Sequence, residues 1–233
     1  MHIGLIGGIG VAATIVYYQR LSARVKAMGH VLDLTIVNAN IQDLIDNNTH
    51  WRPEAQASCY AVLIDRLKRA GADCAAITSL GGHFCFPETK ARASLPLVSG
   101  IAPLDAHFAA NGLTRVGLLG VGSLMRSKMY GQLVKTEAVI PQTDMEALGQ
   151  VYQDVATSGA CTQEQRDRFF AAGRAMVDQQ GAQAIILAGT DLNLAFDGYD
   201  PGFPVIDALD VHVALLADLA CDKRDLSDVA DIS

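Results

Sequence analysis

Two stretches of this 233-residue chain share one pattern, in which a short apolar run ends in a polar turn. The first stretch extends from Gly71 to Phe84 and the second from Gly181 to Asn193. Because an open α/β sheet binds ligands outside the carboxyl ends of its strands, such turns are where a site is expected. We call residues 78–83 the first turn and residues 189–191 the second turn, and we interpret them as two walls of one cleft.

The segments around these turns repeat as well. Gly4-Leu5-Ile6-Gly7 matches Gly117-Leu118-Leu119-Gly120, and Gly71-Ala72 matches Gly181-Ala182 at nearly the same spacing along the chain. Strands and helices alternate throughout, which indicates parallel sheets. The sequence therefore predicts an α/β fold of two similar Rossmann-like (flavodoxin-like) domains related by duplication, although two unrelated α/β halves would imitate this pattern.

The expected elements follow from periodicity and turn residues. We predict strands at 2–6, 32–37, 74–77, 95–98, 115–120, 138–139, 184–188 and 204–206. We predict helices at about 12–27, 53–70, 101–110, 125–134, 163–180 and 208–219, and a further helix after the first turn with Pro87 near its start. A loop is expected to extend to about residue 50. The predicted domains are 1–100 with 206–225, and 101–205, followed by a frayed tail at 226–233.

Composition excludes several classes of protein. Half of the residues are hydrophobic, the net charge is −7, and no cluster of Lys and Arg is present, which argues against a nucleic-acid partner. The N-terminal residues lack the features of a signal peptide, and no apolar run approaches a membrane span. The five cysteines have no C-x-x-C spacing, so neither a disulfide framework nor a metal site is indicated. We expect a cytoplasmic protein.

A glycine turn at residues 7–10 follows the first strand. Its spacing is not G-x-G-x-x-G, and Asp33 lies at the wrong end of the next strand to hold a ribose, which disfavours nucleotide binding. Most of these glycines are explained by tight chain reversal. Backbone N–H groups of Gly7 and Gly8, ahead of a helix, would also suit a small carboxylate.

The polar residues of the two turns each have a structural and a functional interpretation. Ser79 in the first turn is more simply a helix cap than a catalyst. His83 is either a capping or core histidine or a ligand contact, and Asp191 is either a cap or a general base.

Several further motifs point to a family, because the chain resembles the aspartate/glutamate racemase superfamily, in particular its aspartate racemase branch. The resemblance covers residues 3 to 216. It is carried by Ile3-Gly-Leu-Ile-Gly-Gly, Thr14, Tyr17-Tyr18, Trp51, Gly71-Ala72-Asp73, His83, Ile101-Ala102, Val116-Gly-Leu-Leu-Gly, Met125, Tyr130 and Thr190 with an acid after it.

This resemblance implies two α/β domains with a cleft between them, the first completed by the C-terminal helix. It implies catalysis without pyridoxal phosphate or metal, by two cysteines that remove and return the α-proton on opposite faces. Dimers are common among the relatives, so a homodimer is possible. We expect a small carboxylate or amino-acid ligand. The expected contacts are Gly7, Gly8, Thr14, Asn40, Ser79 and Thr190.

The chain departs from the family pattern where the two cysteines should stand. Thr78 occupies the first position and Gly189 the second, and Leu80 and Leu124 replace polar residues of the family. A threonine hydroxyl is too weak an acid to work as a free base near neutral pH, and glycine has no side chain. Cys85 would substitute only if it turned back into the cleft. Two-base racemisation is therefore expected to be lost.

Three functional hypotheses remain. The first is an isomerase-like enzyme that transfers a proton on one face, with Asp191 or His83 as the base and with Thr78 and Thr190 bound to the ligand carboxylate. The second is a binding or regulatory protein for a small dicarboxylate. The third, a homologue with no ligand, is disfavoured by the retained His83, Thr14 and Thr190.

Overall fold

The computed structural model describes residues 1–142 and 144–230. The described chain divides into two compact units, the first made of Met1–Ala102 with the chain from His212 onward, and the second of Pro103–Val211. The sequence instead assigned 206–211 to the first domain. Residues 205–207 pair as a strand with 185–187, which ties this segment to the second unit.

The first unit contains a parallel four-stranded sheet. Its elements in chain order are β1 (His2–Gly7), α1 (Val11–Ala27), β2 (Asp33–Asn38), α2 (Ile41–Thr49), α3 (Pro53–Arg69), β3 (Cys74–Ile77), a 3₁₀ turn (Gly81–Cys85), α4 (Phe86–Arg92) and β4 (Leu97–Val98). The strand order is β2-β1-β3-β4. Because all pairings are parallel, the carboxyl ends of β1 and β3 lie at the same edge of the sheet.

The second unit repeats this arrangement. Its elements are α5 (Ala102–Ala110, which starts at the boundary), β5 (Arg115–Gly120), α6 (Gly122–Arg126), a 3₁₀ turn (Met129–Gly131), β6 (Glu137–Val139), α7 (Met145–Ser158), α8 (Gln163–Gln180), β7 (Ala184–Ala188), a 3₁₀ turn (Thr190–Leu192), α9 (Asn193–Phe196) and β8 (Val205–Asp207). The strand order is β6-β5-β7-β8, again all parallel. The chain continues with α10 (Ala208–Ala220), which crosses the boundary, and α11 (Ser227–Ala230).

The two sheets match in register as well as in order. Ile3 pairs with Cys74 in the first sheet, and Val116 pairs with Ala184 in the second. These pairs bring together the same repeated segments that the sequence shows, which supports duplication. The α/β class with parallel sheets, predicted from alternating elements, is confirmed within the described residues.

The structure corrects two local predictions and adds one helix. Residues 41–49, expected as a loop, form α2, because Asn40 caps the helix by accepting a hydrogen bond from the Gln42 N–H at 3.1 Å. The helix predicted at 125–134 ends at Arg126, since the following Lys128, Met129 and Tyr130 all have positive φ. Helix α7 was not predicted, although its apolar residues have helical spacing; the buried ones are Leu148, Val151, Tyr152 and Val155.

The predicted frayed tail is helical over Ser227–Ala230, and Val229 in it is buried. The rest of that prediction, residues 231–233, lies outside the described residues.

Candidate active-site turns

Thr78 follows β3 directly and belongs to the sheet. Its backbone N–H donates to the Ile6 carbonyl at 3.1 Å, and its hydroxyl donates to the same oxygen at 3.0 Å. The Thr14 hydroxyl oxygen lies 3.3 Å from that of Thr78. Thr78 is completely buried, so its hydroxyl is occupied by contacts within its own unit.

The glycine turn at residues 7–10 is organised around Thr14. The Gly8 N–H donates to the Thr14 hydroxyl oxygen at 3.0 Å, and that hydroxyl donates to the Gly10 carbonyl at 2.9 Å. A Cβ on Gly8, whose φ is +81°, would lie 2.2 Å from Asn38 Oδ1. Close packing therefore explains this glycine, and the N–H of Gly8 is already bound within the protein.

His83 and Ser79 are joined through the backbone of the first turn. The Gly100 N–H donates to His83 Nε2 at 2.9 Å, which makes Nε2 an acceptor and places the ring proton on Nδ1. Nδ1 then donates to the Ser79 carbonyl at 2.8 Å, while the Ser79 hydroxyl oxygen accepts from the Gly82 N–H. Both ring nitrogens of His83 are engaged, so neither can take a proton from a ligand in this arrangement.

A second histidine, which no sequence motif singled out, lies next to His83. The His212 ring on α10 is 6.5 Å from the His83 ring, and His212 Nδ1 is 2.9 Å from the Tyr17 hydroxyl. Burial lowers the pKa of His83 to about 4, although its hydrogen bond to Ser79 opposes the shift. Burial and the neighbouring His83 lower the pKa of His212 to about 3. Both rings are therefore neutral at neutral pH.

The second turn presents a buried carboxylate. Thr190 and Asp191 are each only 1% exposed and begin the 3₁₀ turn after β7. The Tyr152 hydroxyl on α7 donates to Asp191 Oδ2 at 3.2 Å. Burial, together with the Asp191 charge, raises the pKa of Tyr152 well above its usual value, although the nearby Thr190 side chain opposes the shift. The phenol therefore keeps its proton at neutral pH.

Two further polar atoms beside Asp191 are unusual. Within the described residues, the hydroxyl oxygen of Thr190 and the side-chain oxygen of Asn193 are buried without a hydrogen-bond partner of good geometry. Buried polar groups are normally paired, so unpaired ones require an explanation such as a ligand or water. The two turns thus differ, because the hydroxyls of Thr78 and Ser79 make hydrogen bonds of good geometry, whereas the Thr190 hydroxyl has only its weaker interaction with Tyr152.

Gly189 is surrounded by Tyr152. A Cβ built on Gly189 would lie 2.3 Å from Tyr152 Cε2 and 2.7 Å from Cζ. The φ of Gly189 is −165°, an extended value open to any residue, so space alone requires glycine. The Tyr152 ring occupies the volume that a side chain at position 189 would need.

Replacing Gly189 with cysteine is therefore expected to lower the free energy of unfolding by about 1–3 kcal/mol, because the new side chain overpacks against Tyr152. Urea denaturation measures this loss. In a Tyr152→Ala background the loss of unfolding free energy caused by Gly189→Cys should be smaller, since the Tyr152 ring and a side chain at position 189 compete for the same space. Gly149→Cys is the matched control, because its Cβ meets nothing closer than 3.5 Å. Equal losses at positions 189 and 149 would contradict the steric account.

Two of the buried cysteines, Cys74 and Cys85, do not supply a replacement thiolate. Burial raises the pKa of Cys85 to about 12 and that of Cys74 to about 11, so both thiols stay protonated at neutral pH. Cys85 Sγ lies 3.5 Å from the Thr89 hydroxyl on α4. The idea that Cys85 replaces a missing catalytic cysteine gains no support from this geometry.

Neither a metal centre nor a membrane span is found in the part of the chain that the structure describes. In residues 1–142 and 144–230, no group of three or more His, Cys, Asp or Glu side chains is placed to hold a metal ion. No helix in that same part of the chain combines the length and apolar character needed to cross a membrane.

The chain is similar to proteins of known family and structure. A model of the Asp/Glu/hydantoin racemase family matches residues 6–216. A Yersinia pestis protein provisionally described as an Asp/Glu racemase is 26% identical, with a TM-score of 0.80 over 95% of this chain and 100% of its own. An aspartate racemase homologue from Pyrococcus horikoshii (24% identity, TM-score 0.76, 94% of this chain and 99% of its own) and an allantoin racemase from Klebsiella pneumoniae (16%, 0.58, 100% and 92%) share the fold.

Proposed function

Because the chain belongs to the Asp/Glu/hydantoin racemase family, we propose that it binds a small carboxylate or amino acid and transfers a proton at Cα on one face only. The family resemblance inferred from the sequence motifs is confirmed by the match over residues 6–216. One observation carries the finer assignment. The second turn holds a buried carboxylate, Asp191, next to the buried hydroxyl of Thr190, while Gly189 leaves no side chain to act as a thiol.

Loss of two-base racemisation is supported at both positions where the family pattern has cysteine. The Thr78 hydroxyl donates to the Ile6 carbonyl and is buried in its own sheet, so it has no role as a base. At position 189 a Cβ would lie 2.3 Å from the Tyr152 ring, so a side chain there requires the ring to shift. A reaction that needs a thiol at each position therefore has neither group.

We assign the base role to Asp191 rather than to His83. Both ring nitrogens of His83 are bound to backbone groups of Ser79 and Gly100, and burial keeps the pKa of this ring low. His83 is thus a positioning residue that joins the first turn, through Ser79, to Gly100, which follows β4. Asp191 is an acceptor with the chemistry of a general base.

The proposed step moves one proton and one electron pair. The Cα–H bond of the ligand breaks, the proton goes to an oxygen of Asp191, and the electron pair delocalises into the ligand carboxylate as an enediolate. The Thr190 hydroxyl donates to that carboxylate as its negative charge grows. Asp191 then exchanges this proton with solvent and returns a solvent-derived proton to the same face, which exchanges the hydrogen without inverting the centre.

A binding protein for a small dicarboxylate is the second candidate function. The observation in its favour is that Leu80 and Leu124, which replace polar residues of the family pattern, are completely buried and apolar. Apolar side chains at these positions orient the polar groups of a ligand less strictly than hydrogen-bonding residues would.

The remaining features of the proposed function follow the family resemblance. We propose that the protein works in the cytoplasm without pyridoxal phosphate or metal, since Asp191 supplies the base, and that it forms a homodimer, as is common among its relatives.

Hydrogen exchange at Cα tests the proposed function. The purified protein is incubated in deuterated buffer with L- and D-aspartate, L- and D-glutamate and small dicarboxylates, and deuterium incorporation is followed by NMR. We expect incorporation with retention of configuration. Incorporation with inversion would show that a second base is present. No exchange with any compound, together with a ligand-dependent rise in melting temperature, would favour the binding protein.

A further inference from the structure

We propose that Tyr152 is the positioning residue of the second turn, which fills the space left by the missing side chain at position 189 and holds the Asp191 carboxylate ready to accept a proton. This inference rests on the proposed function for its catalytic consequence. Its structural content, a phenol that controls one carboxylate, stands on contacts within the second unit.

The position of the ring is fixed by packing. Tyr152 lies on α7 in a buried cluster that also contains Leu148, Val155 and Leu192. Three atoms of its ring lie within 3.0 Å of a Cβ built on Gly189. The ring therefore occupies the space beside Gly189, and the absence of a side chain at position 189 is what admits it.

The hydroxyl of this fixed ring points to the carboxylate. It lies 3.2 Å from Asp191 Oδ2, and a carboxylate oxygen can only accept, so the phenol is the donor. Tyr152 and Asp191 are both almost completely buried, and the distance leaves no room for an intervening water. The contact restrains the Oδ2 oxygen of Asp191.

The same contact favours the ionised form of Asp191. Burial without a donor raises the pKa of a carboxyl group, whereas a hydrogen bond to the charged form lowers it. Asp191 makes further interactions, so Tyr152 is one of several groups that act on it. Removing the phenolic hydroxyl should therefore raise the pKa of Asp191 while leaving the ring in place.

Tyr152→Phe tests this role because it deletes the hydroxyl and keeps the ring. We expect the pKa of Asp191 to rise by about one unit, since a hydrogen bond to a charged group is worth about that much. The readout is the titration of aspartate side-chain carbons in the ¹³C-labelled free protein, with Asp191→Asn to identify the signal. The exposed Tyr199→Phe in the same unit is the matched control and should leave the titration unchanged.

If the protein shows Cα exchange, the acid limb of its pH profile should move upward by the same amount in Tyr152→Phe. A base must be ionised to accept a proton, so a higher pKa lowers the rate about tenfold for each unit at pH values below that pKa. A merely structural role would lower the rate equally at every pH.

A reciprocal measurement protects the test against a poorly folded variant. In Asp191→Asn the ¹³C-labelled ring of Tyr152 should ionise at lower pH than in the parent, because the carboxylate charge that opposes its ionisation is gone. Unchanged titration of both partners would overturn the inference even if Cα exchange is found. Absent exchange with shifted titrations would instead refute the proposed function and leave the pairing of Tyr152 with Asp191 standing.

Discussion

Asparagine at position 191 is expected to reduce Cα exchange at least 100-fold, because a positioned general base contributes a factor of about 10²–10⁴ to the rate. Asparagine has nearly the same shape as aspartate but cannot accept a proton. The measurement is the initial rate of deuterium incorporation with the ligand that exchanges fastest in the parent protein.

Asp178→Asn provides the control for this variant. Asp178 is an exposed residue of α8 in the same unit, so its replacement removes one negative charge without touching the second turn. Exchange that survives in Asp191→Asn, with the fold intact, would show that another group is the base. Loss of exchange in both variants would point to net charge rather than to Asp191.

The two units differ in how the polar residues of their turns are bonded. In the first unit, the hydroxyls of Thr14 and Thr78 and the ring of His83 are bound to backbone groups of the same unit. In the second unit, Asp191 accepts from Tyr152 on another helix, and the buried Thr190 hydroxyl lacks a hydrogen bond of good geometry among the described residues.

Much of the fold could be predicted from local pattern. The strands β3 and β7 are short apolar runs bounded by glycine and polar residues, and the repeated glycine motifs anticipated two sheets of matching order. Helix α2 was missed because its composition is that of a loop. It forms because the Asn40 cap and the buried face at Leu44 and Asn47 outweigh weak local propensity.

Only some residues of the candidate site could be predicted from the sequence. Residues of the two turns are found by their position after a strand, so Thr78, His83 and Asp191 could be named. Tyr152 and His212 could not be named. Tyr152 on α7 precedes its partner Asp191 by 39 residues, and His212 on α10 follows its partner Tyr17 by 195 residues, so only the folded chain brings each pair together. The helical spacing of the apolar residues in α7 was the available signal for Tyr152, and it indicates burial without indicating a partner.

The paired histidines of the first unit should make the protein sensitive to mild acid. His83 and His212 are buried in neutral form, with pKa values lowered to about 4 and about 3, whereas in the unfolded chain each has a pKa of about 6.5. The unfolded state thus binds more protons below pH 6.5. The stability due to neutral burial is fully present above that pH and is lost as the pH falls from 6.5 toward 4.

The expected loss is about 1.4 kcal/mol per pH unit for each histidine, or about 4 kcal/mol for the pair at pH 5. This is a large part of the about 5–15 kcal/mol that stabilises a typical domain. Urea denaturation between pH 7 and pH 5 measures how steeply the free energy of unfolding falls with pH. His212→Gln should reduce this slope by the contribution of one histidine, whatever the stability of the variant at pH 7. His30→Gln, at an exposed position, should keep the parent slope. Equal slopes in the parent and in His212→Gln would mean that His212 does not drive the acid sensitivity, since carboxylates that titrate below pH 5 affect both proteins alike.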